Sequence, residues 1–105
     1  MSLRDKKLGL LVSAAPTKPN FEHALQLAQT ALRRGVSVYL YCIDDAVTGL
    51  GDPRLQELTE GGLKLFACAY AARRRNLPLD DRASFSGLGV VNDLMTACDR
   101  FVSFN

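Results

Sequence analysis

The chain has 105 residues, 48% of them hydrophobic and 23% charged, the profile of one globular domain with a modest core. A balance of 13 Lys and Arg against 11 Asp and Glu leaves a formal charge of +2, too small to argue for a nucleic-acid partner. Three cysteines and one histidine without a C-x-x-C pair argue against a disulfide framework and a zinc site, and free thiols suit a reducing cytoplasm.

Met1 to Leu3 are expected to be disordered. Lys6-Lys7 followed by Leu8 to Ala15 has the outline of a weak signal peptide. Its apolar part is short and serves better as a first core strand, Lys7 to Ala14. No apolar run approaches the roughly 20 residues needed to cross a bilayer. The two prolines of Ala15 to Pro19 mark a loop. Asn20 is the expected N-cap of a helix whose apolar face is Phe21, Ala24, Leu25, Ala28 and Leu32. Arg33-Arg34 suit its carboxyl end, and Gly35 ends it.

Val36 to Ile43 is rich in strand-forming residues and reads as strand 2. Asp44-Asp45 close it, and Ala46 to Leu50 reads as one helical turn. Asp52-Pro53 opens another helix, with Asp52 as N-cap and Pro53 at its first position. Leu55 and Leu58 are its expected buried contacts, and Gly61-Gly62 stop it. Leu63 to Ala67 reads as strand 3, and Ala69 to Arg75 as an Ala/Arg helix. After a polar turn, Ala83 to Phe85 reads as strand 4. Leu88, Val91, Leu94, Met95 and Cys98 share a helical spacing, and Asp99 to Phe104 reads as strand 5.

Strands alternate with helices five times across connections too long for hairpins. The expectation is an α/β fold: a three-layer α/β/α sandwich around a five-stranded, mainly parallel sheet. Working residues in such sheets gather beyond the carboxyl ends of the strands. Those ends carry Ser13 to Asn20, Asp44-Asp45, Cys68 and Ser86-Gly87. Cys68 falls between a strand and a helix, where a helix amino end favours a thiolate. It is therefore the candidate catalytic residue, although free cysteines are also common as core residues. Cys98 is expected in the core. Cys42 is expected to be packed, with a resolving role beside Cys68 as the alternative. The backbone N–H groups of Ala69 and Tyr70 are candidate anion holders. Ser13, Asp45, Ser86 and Gly87 are candidate ligand-binding residues. The Arg73-Arg74-Arg75 run reads first as a cationic helix end, with docking of an acidic partner or RNA as the alternative. His23 reads as a solvated helix residue. No phosphate-binding glycine motif follows the first strand.

Gly62-Leu63-Lys64-Leu65-Phe66-Ala67-Cys68, followed by its Ala/Arg helix, resembles the active-cysteine segment of the DsrE/DsrF/TusD-like sulfur-relay family. Ser86-Gly87-Leu88-Gly89 through Phe104 is similar to that family's closing helix and strand. Asp45-Ala46-Val47 resembles its D-G-V, with Ala46 in the glycine's place, and the segment after strand 2 is shorter than is usual there. The resemblance implies a three-layer α/β/α fold and a cytoplasmic protein forming homo- or hetero-oligomers, often trimers or hexamers. No cofactor and no membrane partner are expected. The resemblance also implies a cysteine, here Cys68, that holds sulfane sulfur as a persulfide between donor and acceptor proteins. The alternative is a non-catalytic oligomeric subunit or small-ligand-binding module in which Cys68 is only packed.

Overall fold

Alternating apolar strands and amphipathic helices produce the elements in the expected order. The computed structural model describes residues 3–105; Met1 and Ser2, expected to be disordered, lie outside them. The elements are β1 (Lys7–Val12), α1 (Pro19–Arg33), β2 (Ser37–Cys42), a 3-10 helix (Asp44–Gly49) and α2 (Pro53–Glu60). They continue as β3 (Lys64–Cys68), α3 (Ala69–Arg74), β4 (Ser84–Ser86), α4 (Gly89–Ala97) and β5 (Arg100–Phe104). Among the described residues the sheet has five strands in the order β4-β3-β2-β1-β5, every pair parallel. None of the helices among them is long and apolar enough to cross a membrane.

The stretch that outlined a signal peptide forms β1, which pairs with β2 on one side and β5 on the other. Phe21, Ala24, Leu25 and Ala28 are buried along α1 as expected, and Ala31 joins them, whereas Leu32 is only partly covered. Asn20 is not the N-cap. Pro19 fits the first helical position, where a missing N–H costs nothing, so Lys18 becomes the N-cap without a side-chain bond. The Asn20 amide instead donates to the Asn105 carbonyl oxygen at 2.8 Å. Beyond α1, Gly35 takes φ +82 and the Val36 N–H reaches back to the Ala31 carbonyl at 3.0 Å. This left-handed closure satisfies carbonyls that the helix leaves open. Gly62, at φ +112, closes α2 the same way through Leu63 N–H and Leu58 carbonyl.

Asp52 caps α2 as expected, accepting the Arg54 N–H at 2.9 Å. The Arg54 guanidinium, 2.8 Å away, also holds the Asp52 carboxyl below its ordinary pKa. A depressed folded-state pKa contributes stability above the unfolded value of about 3.9, and that contribution is lost as pH falls through the folded value. Asp52→Ala is expected to cost about 1 kcal/mol near neutral pH, with the difference vanishing in acid. Urea unfolding of both proteins across that range is the check.

The chain path makes the two faces of the sheet unequal. From β1 to β4 each strand is added on the same side, so right-handed crossovers put α1, α2 and α3 on one face. The return from β4 to β5 runs the other way and puts α4 on the opposite face. Side chains alternate between faces along a strand. Leu10, Val12, Val38, Leu40, Cys42, Leu65 and Ala67 point to the three-helix face and are all buried. On the α4 face, Leu11, Tyr39, Phe66 and Phe101 are only half-buried. The nine residues of α4 cannot cover five strands. The expected apolar spacing of α4 is correspondingly half used: Leu94 is buried, but Leu88 and Met95 are each 56% exposed. Cys98, expected in the core, is intermediate.

Candidate functional site

Cys68 is the last residue of β3 and the N-cap of α3. It is 5% exposed, and its side chain lies on the α4 face, two residues beyond Phe66. The chain turns into α3 at this point, which brings the Ala71 N–H to 3.4 Å from Sγ. A backbone donor thus holds the sulfur, but it belongs to Ala71. Ala69 and Tyr70, the candidate holders of a developing anion, are the two residues between Cys68 and Ala71 at the start of α3. The Tyr70 side chain is 66% exposed, and its hydroxyl accepts from Arg74 at 3.0 Å.

Ser86 ends β4 directly beside Cys68 in register, so both side chains share one face. Tyr41, fully buried on β2, crosses β3 to reach them. Its hydroxyl donates to the Ser86 and Gly87 carbonyl oxygens, each at 3.1 Å. Burial raises the Tyr41 pKa, the neighbouring Ser86 hydroxyl lowers it, and charge on Cys68 raises it further. Tyr41 therefore stays a neutral phenol beside the sulfur. The Ser86 hydroxyl lies close to Tyr41 without meeting it in bonding geometry. Among the described residues, Ser86 Oγ is buried without a hydrogen-bond partner. In the sequence Tyr41 reads only as a strand former. The signal available was general: a tyrosine inside a buried strand needs a partner for its hydroxyl.

The other candidates separate from this cluster. Ser13 and Asp45 line a hollow of about 420 Å³ with Lys18, Asn20 and Asn105. It lies near the carboxyl ends of β1 and β5, where the strand order reverses. Ser86 and Gly87 are not part of it, so the ligand site expected from Ser13, Asp45 and Ser86 divides in two. Asp45 also pairs with Arg75 at 2.8 Å, and Arg74 stacks on Tyr70 at 5.7 Å. Two members of the arginine run therefore serve α3 and its contact with the 3-10 helix. His23 is exposed, with Nδ1 3.1 Å from Asn20 Oδ1.

Cys42 is no resolving partner for Cys68. It aligns with Ala67, one residue before Cys68, so its thiol points to the opposite face of the sheet. Complete burial pushes its pKa up to about 12. Burial likewise raises the Cys98 pKa, offset in part by Lys7. Among the described residues no group of three or more His, Cys, Asp or Glu side chains could hold a metal ion.

The model of the DsrE/DsrF-like family matches residues 6–104. The fold is similar to the crystal structure of the ychN protein from E. coli, with TM-score 0.79 at 18% identity. That match covers 94% of this chain and 99% of the other. It is also similar to BT1422 from Bacteroides thetaiotaomicron, described as a conserved protein of unknown function, with TM-score 0.78 at 14% identity. There 95% of this chain and 96% of the other are covered. No curated protein matches the sequence significantly.

Proposed function

The chain belongs to the DsrE/DsrF-like family, and from that premise we propose that it is a sulfur carrier in which Cys68 holds sulfane sulfur as a persulfide and passes it to a partner protein. The observation that carries the reading is the placing of Cys68: sheltered, held by the Ala71 N–H and flanked by Tyr41 and Ser86. Loading is a thiolate exchange. The Cys68 thiolate attacks the outer sulfur of a donor persulfide, a new S–S bond forms to Cys68, and the donor's S–S bond breaks. The donor cysteine leaves as a thiolate. Unloading repeats the step, with an acceptor thiolate attacking the outer sulfur and Cys68 leaving. The sulfur moves with its oxidation state unchanged, so no external oxidant, reductant or cofactor enters.

Shelter suits this cargo, because a persulfide is readily lost to oxidants and stray thiols. In this reading a partner approaches along the exposed turn from β4 to α4, which follows Ser86. An added Cβ at Gly87 or Gly89 would meet nothing within 4 Å. The half-covered α4 face, with Tyr39, Phe66, Leu88 and Met95 accessible, supports assembly into homo-oligomers such as trimers or hexamers, or with a related chain. Three free cysteines support a reducing, cytoplasmic setting.

The 5% exposure of Cys68 favours one other reading, a non-catalytic subunit in which this thiol is only packed. One experiment separates the two. The protein is incubated with a small persulfide donor, alkylated, digested and mapped by mass spectrometry. Added sulfur on the Cys68 peptide, absent from Cys68→Ser, is the expected result. Cys42 stays unmodified near neutral pH, since its thiolate is negligible there. Sulfur that never reaches Cys68, together with slow alkylation of Cys68 in the native state, supports the packed subunit.

A further inference from the structure

Ser86 presents a problem that the fold alone does not solve. Its Oγ is buried and unpartnered, although buried hydroxyls in folded proteins are nearly always hydrogen-bonded. Strand β4 does not need a hydroxyl there. The Ser86 carbonyl accepts from Tyr41, and pairing with β3 uses only the backbone. An alanine would fit the same position at no loss to any bond seen. The unused donor stands beside Cys68 in register, on the same face of the sheet. Tyr41 cannot take its place, because the phenol's proton is already committed to the Ser86 and Gly87 carbonyls. The Ala71 N–H is directed at Sγ itself, which leaves a second sulfur without a donor of its own.

We infer that the Ser86 hydroxyl is the hydrogen-bond donor to the outer sulfur of a Cys68 persulfide, so that the orphaned donor of the unloaded protein is satisfied only when sulfur is aboard. The inference rests on the carrier reading above and adds a sulfur-binding residue to it. A persulfide in its anionic form carries its charge on the outer sulfur, where a buried O–H donor favours the charged form. Ser86 gives up no atom in either transfer step. It donates the same hydrogen bond while the S–S bond to Cys68 forms, persists and breaks. The Tyr41 oxygen, whose lone pairs remain free, accepts from a protonated persulfide.

The test uses wild type, Ser86→Ala and Ser86→Thr, each loaded with a small persulfide donor. Release of sulfur to a small-molecule thiol is then followed against pH. Ser86→Ala still loads on Cys68 but holds its sulfur about tenfold less well, the size of one hydrogen bond to a charged group. Its persulfide titrates roughly one pH unit higher. Ser86→Thr, which keeps the hydroxyl, restores both. Without sulfur, Ser86→Ala melts no lower than wild type, because it removes an unsatisfied group. A purely structural serine gives the opposite pattern: a lower melting temperature without sulfur and an unchanged pH profile with it. That pattern, or equal retention in wild type and Ser86→Ala, overturns the inference while leaving the carrier reading intact. Failure of wild type itself to load Cys68 overturns both.

Discussion

Leu10→Ala is expected to destabilise the protein by about 2–5 kcal/mol, a large share of the roughly 5–15 kcal/mol that holds a small domain together. The size follows from position. Leu10 is fully buried at the middle of β1 and aligns with Leu40 on one side and Val102 on the other. The three-helix face packs over it. Truncation removes a methine and two methyl groups from a site bounded by strands that cannot close the gap, so a cavity term adds to the lost transfer energy. Urea unfolding should show a lower midpoint with an unchanged slope. A loss below about 1 kcal/mol would mean that this face is not the main core. Leu10 lies away from the Cys68 cluster, so folded Leu10→Ala should still take up sulfur at Cys68.

The second large effect comes from adding a carbon. Gly49 sits in the 3-10 helix, where a Cβ would come 2.6 Å from Pro16 Cγ and 2.7 Å from Phe21 Cζ. Neither neighbour can yield easily. The Pro16 ring is rigid, and Phe21 is 1% exposed at the start of α1. Gly49→Ala is therefore expected to cost about 1–3 kcal/mol through overpacking. Gly89→Ala is the matched control, since the same added carbon meets nothing within 4 Å and improves the propensity of α4. Thermal melts of the pair should move in opposite directions, or Gly89→Ala should not move at all. Equal losses in both would show that crowding against Pro16 and Phe21 does not decide Gly49.

The sequence made the element order legible because its signals are local. Asp52-Pro53 announces a helix start, Gly35 and Gly62 announce helix ends, and short apolar runs announce buried strands. The Cys68 junction was legible for the same reason. Asn20 misled because two local signals competed, and Pro19, one residue earlier, took the first helical position. The strand order was not legible, and the inequality of the faces follows from it. Once β5 returns beside β1, only α4 can cover the far side of the sheet. The helical spacing of Leu88 and Met95 gave no sign that these residues would stay exposed. The meeting of Tyr41, Cys68 and Ser86 was beyond a linear reading, since it joins three strands and needs their register. The sequence did flag Ser86, but for a strand-end ligand site with Ser13 and Asp45, and the topology separates Ser86 from those two.

The most direct test of the carrier reading is to follow one sulfur atom through the protein. The protein is loaded with a small donor whose outer sulfur is isotopically labelled, freed of donor, and mixed with a thiol acceptor while intact masses are recorded. The label should appear on wild type at one site, leave as it arrives on the acceptor, and never enter Cys68→Ser. Label that settles on Cys42 or Cys98, that passes equally well through Cys68→Ser, or that no thiol can remove from Cys68 would contradict the account.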